Sequence, residues 1–137
     1  MKTIQLFKTI LFAAIIIVSS NQVLSQTKSK GTWQKQNKSI AGHFEIQKTD
    51  SSTYIVLSDD FKTKSAPDLK LFLSKKRVSN ITGKNATQEA VLISELKKTK
   101  GSQKYKVPSN IQLTDYTSLI IHCEQYSIFW GGGAIPK

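Results

Sequence analysis

Cys123 and His122 stand side by side near the C-terminus, and with His43 and Asp68 they are the side chains of this chain best suited to act as nucleophile, base, redox centre or metal ligand. A cysteine–histidine nucleophile needs both groups within hydrogen-bond reach on one face. Successive strand residues point to opposite faces, so in a regular strand His122 turns away from Cys123 and the two share neither substrate nor metal. His43 reaches either of them only through folding. Two histidines and one cysteine without metal-ligand spacing make a zinc or copper site of three or four protein ligands unexpected. No Cys-x-x-Cys-His haem attachment is present, so the chain shows no cofactor site of its own. Gly131, Gly132 and Gly133 lack the Gly-Lys-Ser/Thr of a phosphate loop and are expected to allow tight backbone packing at a strand end. These residues hold no catalytic constellation, and enzymatic activity is not the expectation.

Cys123 is the single cysteine, so no intramolecular disulfide can form. Set among apolar residues, it is expected to behave as a small buried hydrophobe. A reactive thiol needs exposure and a nearby positive charge, whereas the next residue is Glu124. An odd cysteine in an exported chain also leaves a free reactive thiol, or a dimer disulfide-linked through Cys123, open.

The elements that must position these groups are short strands. Ile40 to Lys48 alternates, with Phe44 and Ile46 on one face and His43, Glu45 and Gln47 on the other. Asp50, Ser51 and Ser52 then turn the chain into Tyr54 to Leu57, which predicts a hairpin. Leu69, Leu71 and Leu73 alternate with Lys70, Phe72 and Ser74 between two polar loops, 58–67 and 75–87. Residues 89–96 fit helix or strand, and Tyr105 to Val107 a further strand. Leu119 to Cys123 and Tyr126 to Trp130 fit adjacent strands or one bent strand. The pattern predicts an all-β, antiparallel β-sandwich, or a small barrel-like sandwich, of short strands.

At the other end, Lys2 and Lys8 flank an apolar run over residues 10–18 that is too short to cross a bilayer, which takes roughly 20 apolar residues. Residues 1–25 are therefore expected to be a cleaved signal peptide, 26–31 a flexible lead-in, and 32–137 one domain, periplasmic or secreted and with no membrane span after cleavage. The net charge is +11, but Arg77 is the lone arginine and the lysines are scattered, so nucleic acid is not an expected partner. Asn37, Asn80 and Asn85 open Asn-x-Ser/Thr sequences expected in surface loops or at strand edges. Gly31-Thr-Trp33 resembles the Gly-x-Trp of lipocalin-like barrels, although the chain is short for eight long strands around a cavity.

Five ordered segments together resemble the DM-thirteen electron-transfer domain family. They are Ala41-Gly-His-Phe44; Ala66-Pro-Asp-Leu-Lys-Leu-Phe-Leu-Ser74; Gly101 to Pro108; Asp115 to Cys123; and Tyr126 to Gly131. The resemblance covers Thr32 to Ile135. It implies a β-sandwich-like fold and a redox role for the cysteine at Cys123, in a domain that in animals accompanies haem-binding DOMON domains, so that haem would enter only through a partner. The family commonly has Trp before that cysteine, where this chain has His122. The resemblance implies an exported redox or electron-transfer module acting through Cys123, with a redox or envelope protein as partner. The alternative is a non-enzymatic binding sandwich for an apolar ligand or envelope partner, with Cys123 in the core.

Overall fold

The computed structural model describes residues 25–34, Gln36 and residues 38–137. The signal-peptide segment, apart from Ser25, and the Asn37 site lie outside the described residues.

Ten strands follow one another: β1 (Thr27–Thr32), β2 (Ile40–Ala41), β3 (His43–Lys48), β4 (Thr53–Leu57), β5 (Lys62–Thr63), β6 (Leu69–Ser74), β7 (Ala90–Glu95), β8 (Gln103–Val107), β9 (Ser118–Cys123) and β10 (Ile128–Ala134). They build two antiparallel four-stranded sheets, ordered β1-β3-β4-β8 and β10-β9-β6-β7, with β2 and β5 as a small separate pair. The sheets face each other as a sandwich and do not close into a barrel. None of the described residues forms a helix long and apolar enough to cross a membrane.

The alternation in each strand decides what lies between the sheets. From the first sheet come Phe44, Ile46, Ile55, Leu57, Tyr105 and Val107; from the second, Leu69, Leu71, Leu73, Leu119, Ile121, Cys123 and Trp130. A second cluster lies on the outer face of the second sheet, where Phe72, Ile120 and Phe129 are covered by Val78, Ile81 and Ala86. The segment expected as a polar loop after β6 is thus the lid of a second small core. It turns through a 3-10 segment at Val78–Asn80, and the Asn85 side chain ties its turn by accepting from the Thr82 N–H at 2.8 Å.

Three expectations are corrected. Thr27–Thr32, expected as a flexible lead-in, is β1 and pairs residue for residue with β3. Its inward positions are Ser29 and Gly31, opposite Ile46 and Phe44, so it carries no apolar pattern of its own. Residues 40–48 are broken at Gly42, whose φ of +81° suits glycine and turns β2 into β3. Gly131–Gly133 lie inside β10 rather than beyond its end. The open alternative at residues 89–96 resolves as the edge strand β7.

The glycines set how closely β10 approaches its neighbours. Gln34 leaves β1 and donates its N–H to the Gly132 carbonyl at 2.7 Å, so the first sheet hands its edge strand across to β10. A Cβ on Gly133 would stand 2.2 Å from the Thr32 carbonyl oxygen and 2.7 Å from the Phe44 ring. A Cβ on Gly31 would enter the same ring at 2.1 Å. Two glycines from two sheets therefore make the slot for Phe44, whose ring also packs on Trp33 with centroids 4.9 Å apart. Backbone at Thr32 cannot step aside as a flexible side chain can, so Gly133→Ala should destabilise by about 2 kcal/mol or more. Urea unfolding will measure this, with Ser79→Ala on the exposed lid as a near-neutral comparison.

Candidate functional site

β9 is the strand on which the sequence places its chemistry, and all six of its residues are buried. It lies between β10 and β6, with the sandwich interior on one face and the lid on the other. A strand covered on both faces takes a continuous apolar run rather than an alternating one, which is why 119–121 are all aliphatic.

Alternation along β9 sends Cys123 inward and His122 outward. Cys123 is 0% exposed and belongs to the central core, in register with Leu69 on β6 and Ile128 on β10. His122 is 3% exposed, lies edge-on to Phe72 with ring centroids 6.3 Å apart, and leaves its Nδ1 buried with no hydrogen-bond partner among the described residues. The register shift in this pair falls between Phe129 and Gly131 of β10, so β9 itself stays regular. The two side chains therefore do not form a nucleophilic pair.

Asp68 does come to His122. Leu69 at the start of β6 pairs with Cys123, and the Glu124 N–H donates to the Asp68 carbonyl at 3.2 Å. Lys70, the register partner of His122, bonds Glu124 and stands 3.2 Å from Asp68 Oδ1, and those two carboxylates raise its pKa. Burial pushes the His122 pKa down, against the smaller pull of the Glu124 and Asp68 carboxylates and a hydrogen bond to the Ile128 backbone. This end of β9 thus holds a neutral imidazole beside a balanced charge cluster.

His43 lies elsewhere, on the outer face of the first sheet, 3.7 Å from Glu45 Oε1. Its backbone N–H donates to Ser58 Oγ at 2.9 Å, and that hydroxyl donates to Asp60 Oδ1 at 2.6 Å. These residues border an open hollow of about 410 Å³. Ser58 is committed to its carboxylate and is not activated by the histidine. No three His, Cys, Asp or Glu side chains among the described residues gather into a set that could hold a metal ion.

Sequence reasoning passed over two buried groups. Trp130 is swung inward at the β10 bulge and donates its Nε1–H to Thr63 Oγ1 at 2.8 Å, pinning β5 to the second sheet. Tyr105 lies in the core with its hydroxyl donating to Gln103 Oε1 at 2.5 Å and accepting from the Lys97 N–H at 3.0 Å, and burial raises its pKa. The inward phase of β8, Gln103, Tyr105 and Val107, was the available signal for the second.

A two-sheet antiparallel sandwich with a buried cysteine in its central strand defines a small all-β module. The family model described as Electron transfer DM13 matches residues 32–134, and the chain belongs to this family. No curated protein and no solved structure matches it.

The lowered His122 pKa has a signed consequence. Below the ordinary histidine value of 6.5 the unfolded chain takes up a proton that the folded chain resists, so stability falls as pH drops through that value and levels off below the folded pKa. Glu45 and Asp60, whose pKa values are lowered chiefly by hydrogen bonds from Gln47 and Ser58, act only at lower pH, from about their model values of 4.5 and 3.8 downward. Denaturant titrations between pH 7 and pH 5 should show this loss in the parent, and His122→Phe should flatten it. A parent profile that is already flat there excludes a buried neutral imidazole.

Proposed function

We propose that this DM-thirteen domain is an exported, non-enzymatic module of an electron-transfer system that binds a redox or envelope partner, with Cys123 as a core residue and not the reacting thiol. The observation that carries this reading is the complete burial of Cys123 among Leu69, Leu71 and Ile121. Thiol–disulfide exchange requires a thiolate to approach a sulfur in line, and oxidation to a sulfenic acid requires peroxide to reach it. An enclosed sulfur meets neither demand unless β10 parts from β9. The same enclosure opposes a disulfide-linked dimer. Export rests on the charge and apolar pattern of residues 1–25.

The second reading, in which Cys123 itself cycles between thiol and oxidised forms, is supported by membership of an electron-transfer family. Alkylation kinetics separate the two. If Cys123 is core, iodoacetamide labels it only as fast as the protein opens, labelling accelerates with denaturant, and peroxide leaves it reduced. Cys123→Ala should then lower stability by about 1–2 kcal/mol, in the range of small cavity-forming substitutions, while leaving partner binding intact. Labelling at the rate of a free exposed thiol, with unchanged stability in Cys123→Ala, would establish the redox reading instead.

A further inference from the structure

The lysines that look scattered along the chain are brought together by strand pairing. Register places Lys28, Gln47, Tyr54 and Lys106 in one row across the first sheet, and Lys30, Glu45, Val56 and Lys104 in the next. Paired residues share a face. Phe44, Ile46, Ile55, Leu57, Tyr105 and Val107 fill the inner face, so these two rows lie on the outer one. Lys28, Lys30, Lys104 and Lys106 are all exposed, and no ion pair among the described residues engages them. The other sheet behaves differently: Lys70 is matched by Asp68 and Glu124, and Lys76 by Glu89. The positive charge left unneutralised on a strand face is thus concentrated on β1 and β8, flanking a polar centre.

We infer that the outer face of the β1-β3-β4-β8 sheet is a docking surface for an acidic protein partner. The inference rests on the reading of the chain as a partner-binding module. Charge complementarity sets the chemistry: four free ammonium groups surround a single carboxylate, Glu45, whose pKa is lowered chiefly by the Gln47 hydrogen bond, with Lys28 also contributing. That central carboxylate opposes a polyphosphate lying across the face, while in a protein partner it can meet a basic group and fix the register. Tyr54 already carries Lys104 over its ring, with Nζ 4.2 Å from the centroid, so it is not a free platform for a nucleotide base. The two rows present only a half-buried Val56 as an aliphatic side chain, too little to insert among acyl chains. At one end Asp59 and Asp60 border the hollow beside His43, giving the face a negative margin that orients what docks.

The scale of the surface fits a brief encounter. Four strands about 4.8 Å apart, used over about five residues, give a footprint on the order of 300 Å². Such an area falls in the class of small, transient, salt-sensitive contacts, where charge steers association more than it holds the complex.

The test uses a fluorescently labelled Glu-rich peptide as the probe, with phosphatidylglycerol vesicles and a single-stranded oligonucleotide as competing ligands. The combined variant Lys28→Gln, Lys30→Gln, Lys104→Gln and Lys106→Gln should weaken peptide binding by roughly tenfold. A charge-matched variant elsewhere, Lys62→Gln, Lys75→Gln, Arg77→Gln and Lys84→Gln, should change it by less than about twofold. Arginine at the four face positions should restore binding, which also excludes a folding defect as the cause. Equal losses in the two neutralised variants overturn the inference, because net charge alone then explains binding. So does tighter, face-dependent binding of vesicles or oligonucleotide than of peptide. Alkylation of Cys123 in the same samples keeps the two proposals apart. Slow labelling with face-independent binding sinks the docking surface alone, and fast labelling sinks the core-cysteine reading whatever the face binds.

Discussion

The closure of both faces of β9 governs the rest of the molecule. A strand with the sandwich on one side and the lid of Val78, Ile81 and Ala86 on the other has no solvent side, so whatever it carries must suit a dry environment. Cys123 meets that demand as a compact apolar group. His122 meets it less well, with a buried nitrogen unpartnered and its proton affinity reduced. Both stay because β9 is the hub of the second sheet, paired on each edge along its whole length. The neighbours in sequence are thereby separated by the thickness of a backbone and belong to different environments.

The two sheets handle charge in opposite ways. On the second sheet the carboxylates stand where the lysines are, and Lys70, held between two of them, closes the end of β9 beside His122. On the first sheet the cations sit on the two flanking strands, and the middle strands carry the hydrogen-bonding and aromatic groups. The outcome is a molecule with one electrostatically quiet side, over its second core, and one side with a field of its own.

How much of this could be foreseen depended on whether the information was local. Strands β6, β9 and β10 were visible because their apolar runs are their own, and the opposed directions of His122 and Cys123 followed from alternation alone. β1 was not visible, because it buries Ser29 and Gly31 beneath side chains that β3 supplies, and its polar sequence resembles a tail. β7 stayed ambiguous since an edge strand is only half-covered and loses its period. The lid looked polar because three apolar anchors are spread over nine residues of loop, from Val78 to Ala86. The approach of Asp68 to His122, and the gathering of Lys28, Lys30, Lys104 and Lys106, arise from register between distant segments. A single sequence does not print register.

The bulge at Trp130 carries a consequence for what this chain can become. One additional residue in β10 lets Phe129 face the lid while Trp130 turns to the core and reaches Thr63, with both glycine contacts still in place beyond it. Composition in that strand has some latitude, but its count does not. A single deletion would exchange the destinations of the two rings and drive a backbone without side chains out of the slot it fits. Descendants of this sequence are thus free to drift by substitution along β10, while insertions and deletions there are barred by parity.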